Sequence, residues 1–236
     1  MKLRLALLSL LALSSSCIIV IADTDGDGER YDEQGHAHEP KWRTLFDGSS
    51  LEAFRGYRKD EAPAGWTIQE GALARVDGGG DLMTKGQWGS FELVFDWKVT
   101  EGANSGVMFH VTEDQGAPYM TGPEYQILDN TRHRDGGDPR TSAAANYALH
   151  APEKDHTRPV GEWNHGRLVC EDGVVTHWLN GHKVVEYELW TDDWQALVEA
   201  SKFDAMPEYG QRRRGHIVFQ DHGDLVFYKD IRVRSL

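Results

Sequence analysis

The chain has 236 residues, of which 39% are hydrophobic and 27% are charged, so it can bury one sizeable core. Its formal net charge is −13, which argues against the basic footprint that nucleic-acid binding requires. The one cationic cluster, Arg212-Arg213-Arg214, is short and typical of a loop. These features predict a single acidic domain that does not bind nucleic acid.

The amino-terminal 22 residues predict an export signal. Lys2 and Arg4 precede an apolar run, and Val20-Ile21-Ala22 offers small residues to a signal peptidase. Cleavage there would release a periplasmic or extracellular chain that starts near Asp23. Two alternatives stay open: Cys17 could carry the lipid of a lipoprotein, or the apolar stretch, about long enough to span a bilayer, could remain as an anchor.

Residues 23–40 predict an acidic flexible tether. The start of this segment, Asp23 to Gly28, resembles an EF-hand loop, but Gln34 stands where the bidentate Glu belongs. The folded domain is therefore expected to cover residues 41–236. After cleavage Cys170 would be the only cysteine, and its strand-like surroundings predict a buried, inert thiol.

Short β-strands are predicted from Trp42 onward. Residues 66–68 and 71–73 indicate a hairpin, and residues 91–99 alternate between apolar and polar side chains. Residues 104–111 predict a strand whose two faces can be assigned by alternation. Its inner face would hold Val107, Phe109 and Val111, and its outer face Asn104, Met108 and His110.

The next strand, Gly122 to Asp129, carries the most informative pattern. Tyr125 and Ile127 fall on one face, where they can join a core, while Glu124 and Gln126 fall on the other. A loop follows from residue 130 to residue 157, and its Asn146-Tyr147 pair could fold over a cleft.

The remaining segments complete an all-β pattern. Two strands, 166–170 and 174–179, lead into Asn180-Gly181, a strong signal for a type I′ hairpin turn. One helix is predicted, capped by Asp192 with Gln195 three residues on, and with Trp194, Leu197 and Val198 on one face. Three separate strands, 216–220, 225–228 and 231–233, end the chain. The fold class predicted is a jelly-roll sandwich of two antiparallel sheets with one short helix.

Alternation gathers polar side chains on one sheet surface. A solvated polar face is one interpretation; a saccharide site is the other, because sugars need several fixed donors and acceptors and an aromatic plate. Trp88, Trp163 and Trp178 could supply that plate or lie in the core. The side chains expected on that surface are Asn104, Met108, His110, Glu124, Gln126, Gln220 and His222.

Six motifs in order resemble the 3-keto-disaccharide hydrolase family, and the match runs from about Trp42 to Leu236. The motifs are Trp42–Gly48, Asn104–Val107, Gly122–Gln126, Gly161–Asn164, His177–Gly181 and Gln220–Gly223. The resemblance implies a concanavalin-like jelly roll that cleaves glycosides already oxidised to a ketone at sugar carbon 3. The chain departs from the family at Tyr228–Ile231, where an Arg-Asn-Ile is usual, and at Ser142–Tyr147, which leaves substrate choice open.

The carboxylates of the predicted site restrict the possible chemistry. A conventional glycosidase needs two carboxylates roughly 5–5.5 Å or 6.5–9.5 Å apart. Glu124 and Asp129 would stand roughly 17 Å apart on opposite faces of a continuous strand. A 3-keto sugar needs only one base, because its carbonyl acidifies the hydrogen on carbon 2. Removal of that proton gives an enolate that expels the group on carbon 1, and water then adds.

Roles for the site residues follow from that chemistry. Glu124 or His110 would be the base, Asn104, Gln126 and Gln220 would hold sugar hydroxyls or the keto oxygen, and His222 would be a donor or leaving-group acid. Tyr147 would contact substrate from the long loop. The sequence requires no cofactor, although a divalent metal on His110, His222 and Glu124 is an open alternative. A non-catalytic carbohydrate-binding module and a conventional hydrolase are the rival functions.

Overall fold

The computed structural model describes residues 41–236. The predicted signal and tether fall in residues 1–40, outside this described part. Residues 41–236 form thirteen β-strands, one α-helix and four short 3₁₀ helices. The strands are β1 (Arg43–Phe46), β2 (Phe54–Gly56), β3 (Trp66–Gln69), β4 (Ala72–Arg75), β5 (Leu82–Thr84), β6 (Phe91–Val99), β7 (Asn104–Val111), β8 (Glu124–Leu128), β9 (Asn164–Glu171), β10 (Val174–Leu179), β11 (His182–Glu188), β12 (His216–Phe219) and β13 (Val226–Ser235).

The strands build two antiparallel sheets, as the sequence predicts. The eight-stranded sheet runs β11-β10-β9-β6-β13-β4-β3, with β1 paired to β13, and the five-stranded sheet runs β2-β5-β12-β7-β8. Consecutive strands are often not neighbours in these orders, so long connections cross between the sheets. This arrangement confirms the predicted two-sheet jelly-roll class.

Aromatic side chains from both sheets fill the space between them. Phe95 of β6 meets Tyr125 of β8 edge-to-face at 5.4 Å between ring centroids, and Phe219 of β12 meets Tyr228 of β13 at 5.0 Å. All four are fully buried. Since burying such a side chain contributes about 1.5–3 kcal/mol, these inward faces hold the sheets together. The outward faces are thereby left to other tasks.

Two bulges differ from the predicted strands. His110 has φ of +53°, and the register of β7 against β12 shifts at this point. The extra residue turns the His110 ring inward and moves Val111 outward, where it packs with Met108 and Val218. The predicted inward position of Val111 and outward position of His110 are therefore wrong.

The second bulge joins two segments that the sequence presents as separate strands. Residues 225–228 and 231–233 lie in one strand, β13, which shifts register between Lys229 and Arg232. Asp230 takes the positive φ of +51° that the bulge requires. The departure of Tyr228–Ile231 from the family pattern thus falls on a bulge in the middle of the larger sheet.

The single helix, α1, spans Asp192–Glu199. Its cap is Thr191, whose hydroxyl accepts from the Trp194 amide at 3.1 Å, so the predicted cap at Asp192 is wrong by one residue. Trp194 and Val198 are buried as predicted, but Leu197 is 40% exposed. The 3₁₀ helices are Pro118–Met120, Arg134–Gly137, Pro139–Thr141 and Lys202–Ala205.

Other local predictions are confirmed. β3 and β4 form the predicted hairpin, and Asn180 and Gly181 have φ of +50° and +85° in the turn between β10 and β11. Cys170 is a buried free thiol of β9, and burial raises its pKa to about 12. Within residues 41–236, the helices are too short or too polar to cross a bilayer.

The long loop after β8 returns to the edge of that strand. The Gln126 amide donates to the Ala145 carbonyl at 3.1 Å, and the Ala144 amide donates to the Gln126 carbonyl at 2.8 Å. A third bond runs from the Tyr147 amide to the Glu124 carbonyl at 3.1 Å. The segment that the sequence predicts as a cleft cover is therefore fixed by backbone bonds beside Glu124.

Candidate active site

The outer face of β7 and β8 carries the predicted polar side chains. In this antiparallel pair Glu124 lies opposite Met108, Gln126 opposite Gly106, and Leu128 opposite Asn104. Because Tyr125 lies in the core, alternation places its neighbours Glu124 and Gln126 on the outer face. Asn104 and Gly106 share that face with them.

Gly106 makes room for the catalytic candidate. A Cβ atom at this position would lie 1.7 Å from Oε1 of Glu124 and 2.6 Å from its Cδ. The Glu124 side chain thus extends across β7, over the one residue there that has no side chain. Only glycine permits this approach, since any larger residue would overlap the carboxylate.

Glu124 is a buried acid. The residue is 7% exposed, and its Oε1 has no hydrogen-bond partner among residues 41–236. Burial raises the pKa of Glu124 to about 8; Lys202 opposes the shift, and the charges of Asp81 and Asp135 add to it. A carboxyl group with a pKa this close to neutrality can take up and return a proton during a reaction.

Two neighbouring amides also present unpartnered oxygens. Oε1 of Gln126 and Oδ1 of Asn104 are buried and accept no hydrogen bond from the described part of the chain. The side-chain nitrogen Nε2 of Gln126 donates to the Thr141 carbonyl at 3.3 Å, which leaves the side-chain oxygen Oε1 available to a ligand. Buried polar atoms are nearly always paired, so three unpaired acceptors on one face indicate a place where a ligand supplies donors.

Gln220 and His222 lie at the same face, beside β7. The backbone amide of Gln220 donates to the Gly106 carbonyl at 2.9 Å. This bond places the segment after β12 next to the Glu124 side chain. The exposed His222 places Nε2 3.4 Å from Nδ2 of Asn104. The structure therefore brings Asn104, Glu124, Gln126, Gln220 and His222 to one surface.

Tyr147 enters the site from the loop that is bonded to β8. Its hydroxyl donates to Asp135 at 3.1 Å, and the Lys202 ammonium lies 4.1 Å from the centre of its ring. Burial raises the pKa of Tyr147 to about 12. Partial desolvation lowers the pKa of Lys202, although its attraction to Glu124 and Asp135 opposes that shift.

His110 does not join this group, contrary to the sequence prediction. Its Nε2 lies 2.8 Å from the Gly89 carbonyl, and its ring packs on Phe91 and Phe109 and stacks on Trp190. Burial lowers its pKa and so favours the neutral form of the ring. The bulge places this ring inside the sandwich, where it serves packing.

The metal-binding alternative loses its predicted ligand set. His110 points into the interior, whereas Glu124 and His222 belong to the outer face of the smaller sheet. Across residues 41–236, no three His, Cys, Asp or Glu side chains converge as metal ligands would. The positions of these residues give no support to a cation shared by His110, His222 and Glu124.

Asp129 has a structural role. Its Oδ1 accepts from the Thr131 amide at 2.8 Å and its Oδ2 from the Gly102 amide at 2.8 Å. These bonds lower its pKa despite the opposing effect of burial, which is the larger single influence. The sequence argument that Asp129 is not the partner of Glu124 agrees with this geometry.

The candidate aromatic plates lie apart from Glu124. Trp88 is buried in the core. Trp163 is covered by the ammonium groups of Lys98 and Lys229 at 4.9 and 4.6 Å, and Trp178 by Arg167 at 4.9 Å. Trp178 and Arg167 belong to strands of the eight-stranded sheet. The Trp178 backbone carbonyl accepts from the Tyr125 hydroxyl at 3.0 Å, so its contact with β8 is on the core face, opposite Glu124.

Two cavities, of about 480 and 510 Å³, lie away from Glu124. The first is lined by Asp47 and the second by Asp129, and both carboxylates already accept hydrogen bonds within their own loops. We place the candidate active site at Glu124 instead, because the unpartnered acceptors are there.

Sequence reasoning missed Lys202, Asp135 and Gly106. Lys202 stands alone in a Ser-Lys-Phe segment, and Asp135 lies in the long loop, so neither follows a periodic pattern. Both reach the site through contacts that are distant in sequence. Gly106 was the one detectable signal, because a glycine inside a strand indicates a close approach of another group.

Solved structures define the class of protein. A protein of Bacillus subtilis with a galectin-like fold superposes with a TM-score of 0.51 at 13% identity, over 82% of this chain and 89% of that one. At this identity the likeness concerns the fold alone. A protein of Parabacteroides distasonis, provisionally named a glycosyl hydrolase, superposes with a TM-score of 0.77 at 31% identity, over 83% and 94% of the two chains.

Sequence comparison defines the family. The 3-keto-alpha-glucoside-1,2-lyase-like domain matches residues 41–234. A protein of Bacteroides thetaiotaomicron named 3-keto-disaccharide hydrolase is 36% identical in an alignment that covers 82% of this chain and 78% of that protein. The chain belongs to this family, as its motifs predict. Membership of this family indicates a hydrolase that acts on carbohydrates.

Proposed function

We propose that this protein cleaves 3-keto-glycosides by elimination and hydration, with Glu124 as the base. The observation that carries the proposal is the buried Glu124 carboxyl group, unpartnered at Oε1 and raised in pKa to about 8, beside the free oxygens of Gln126 and Asn104. The names of the family and of the Bacteroides thetaiotaomicron relative support the same substrate class.

The reaction balances with one base and water. Glu124 takes the proton from carbon 2, and the electrons of that bond move onto the carbon 3 oxygen as an enolate. The enolate reforms the ketone, a double bond forms between carbons 1 and 2, and the carbon 1 oxygen leaves with a proton from His222. Water then adds its hydroxyl to carbon 1 and returns a proton to His222, while Glu124 delivers a proton to carbon 2, which gives the free 3-keto sugar. General base catalysis of this kind contributes about 10²–10⁴-fold.

The unpaired acceptors form a row along β7. The Glu124 carboxylate lies over Gly106, and Asn104 is two residues further along the strand, roughly 7 Å away at about 3.3 Å a residue. We assign the reacting ring to the Glu124 end. Asn104 and His222 then hold the departing unit, where His222 can donate a proton to the leaving oxygen.

The decisive experiment replaces Glu124 by Gln. The Gln side chain keeps the shape but cannot take a proton, so turnover of a 3-keto-glucoside should fall by about 10²–10⁴-fold. Glu171→Gln, the same change at an exposed position, is the control and should match the wild type. Wild-type activity in the Glu124→Gln variant would exclude Glu124 as the base.

Deuterium labelling separates the mechanisms. Elimination and hydration in D₂O place deuterium on carbon 2 of the released sugar, whereas direct hydrolysis leaves that hydrogen in place. Proton NMR of the product distinguishes the two outcomes. Cleavage of unoxidised disaccharides would indicate the conventional hydrolase, and saturable binding without sugar release would indicate a binding module.

Export of the protein remains part of the proposal. The apolar amino-terminal segment predicts a periplasmic or extracellular enzyme, either free or attached through a lipid at Cys17. The mass of the mature protein distinguishes the two forms. A chain starting at Asp23 indicates free release, and a lipid-bearing Cys17 at the amino terminus indicates a tether.

A further inference from the structure

Lys202 is a cation at the rim of the Glu124 site. It begins the 3₁₀ helix Lys202–Ala205, which Ser201 caps by accepting from the Phe203 amide at 3.0 Å. The next residue, Phe203, is buried and stacks on Tyr209 at 3.8 Å between ring centroids. The backbone that carries Lys202 is therefore held in place, while its side chain extends to the surface.

The Lys202 ammonium packs on an aromatic ring. Within residues 41–236, no carboxylate lies within 4.0 Å of it; it lies instead 4.1 Å from the centre of the Tyr147 ring. The backbone amide of Tyr147 donates to the Glu124 carbonyl, and its hydroxyl donates to Asp135. The Tyr147 ring thus holds the Lys202 ammonium near the Glu124 and Asp135 carboxylates without direct contact.

The charges around Glu124 explain why a cation is needed. Asp81 and Asp135 both act on Glu124 as negative charges, and Lys202 acts on it as the opposing positive charge. The proposed reaction moves one further negative charge onto the carbon 3 oxygen of the sugar. A preorganised cation aimed at such a developing charge contributes about 10²–10³-fold in rate.

We propose that Lys202 is a catalytic residue whose ammonium binds the carbon 3 oxygen of the substrate and stabilises the enolate. This inference rests on the proposed function. The Tyr147 ring keeps the ammonium in position before substrate arrives, and the absence of an ion pair leaves its N–H donors available for the ketone. Lys202 would contact the oxygen, while Glu124 takes the proton from the adjacent carbon.

The test measures enolate formation apart from bond cleavage. A 1,5-anhydro-3-keto-glucitol has no aglycone to lose, so exchange of its carbon 2 hydrogen in D₂O reports proton removal alone. The wild type should exchange this hydrogen, and Glu124→Gln should not. Lys202→Met should exchange it at least about 100-fold more slowly, and Lys202→Arg, which keeps the charge, should recover part of the loss.

Measurement across pH separates stabilisation of the enolate from an effect on Glu124. Removing the Lys202 charge also moves the titration of Glu124 to higher pH, so rates are compared where each variant has reached its plateau. A deficit that persists on the plateau supports the inference, and equal plateau rates for Lys202→Met and the wild type overturn it. Lys154→Met, at an exposed position in the loop before β9, is the control for loss of a surface charge.

The outcomes also separate this inference from the proposed function. If the wild type neither exchanges the hydrogen nor cleaves a 3-keto-glucoside, the proposed function fails, and the role of Lys202 fails with it. If the wild type is active and Glu124→Gln inactive, the function stands, and the Lys202 variants alone decide the inference.

Discussion

At the scale of single residues, Glu124 combines a functional requirement with a cost in stability. The Glu124 side chain is buried on the outer face of β8, where an ionised carboxylate is poorly solvated, so burial favours its protonated form. The same burial brings its pKa close to neutral pH, where a base that must also release its proton works best. The unpaired Oε1 is therefore consistent with a site kept for substrate.

The pH dependence of the rate follows from that pKa. Because the base must be ionised, kcat/KM should rise with pH and level off above about pH 8, the value to which burial raises the pKa of Glu124. Initial rates on a 3-keto-glucoside between pH 5 and 10, corrected for spontaneous decay of the substrate, measure the midpoint. A rate that is flat across this range would show that another group removes the proton.

Gly106 gives a second prediction at this scale. In Gly106→Ala the new Cβ would overlap the Glu124 carboxyl group, whose flexible side chain must move aside. Stability should change little, but kcat should fall by about 10²-fold, because a displacement of about 1 Å in a catalytic group has this effect. Thermal unfolding and kinetics on one preparation test both halves. Unchanged kcat would show that the carboxylate does not need its position over β7.

At the scale of elements, the bulge in β7 predicts a structural role for His110. In His110→Ala the contacts with Gly89 and Trp190 are lost, while the strain of the positive φ, which His110 already bears, remains. The free energy of unfolding should fall by about 2–4 kcal/mol, while kcat stays within about threefold of the wild-type value. Chemical denaturation and kinetics measure the two effects.

His110→Gly is the matched control, since glycine adopts this φ without strain. It should be at least as stable as His110→Ala, although glycine is normally the less stable choice. A loss of kcat by about 10²-fold or more in both variants, with the fold intact, would return His110 to the chemistry.

The elements show how far sequence patterns reach. Alternation correctly predicted the strands β6, β7 and β8 and the outward direction of Glu124 and Gln126, because a strand buried on one face repeats every two residues. It failed at His110 and Asp230, where a non-glycine residue with positive φ changes the register without a local signal. Lys202 was missed because it reaches Glu124 only through the packing of distant segments.

At the scale of the whole molecule, Glu124 links stability to pH. Its carboxyl group has a pKa of about 8 in the fold and an ordinary value near 4.5 when unfolded. Between these values the unfolded chain binds fewer protons, so the contribution of Glu124, fully present below about pH 4.5, is lost as pH rises through about 8. The folded protein should therefore lose stability over this interval.

Glu124→Gln removes this dependence. The difference in unfolding free energy between Glu124→Gln and the wild type should be smallest at pH 4. It should grow with pH and level off above about pH 8, in favour of the variant, by at most about 4–5 kcal/mol at about 1.4 kcal/mol per pH unit. Denaturation at pH 4, 6 and 9 measures the difference, with Glu171→Gln as control. A difference that does not change with pH would contradict the burial of an ionisable group here.

The backbone bonds between Gln126 and residues 144–145 have a consequence for the evolution of this enzyme. They occupy the outer edge of β8, so no second polypeptide can extend the smaller sheet from that side. The same segment carries Tyr147 into the site. Changes in substrate preference can therefore arise through side chains of this segment. An insertion that breaks its main-chain pairing would expose the unpaired edge of β8, which could then pair with another chain.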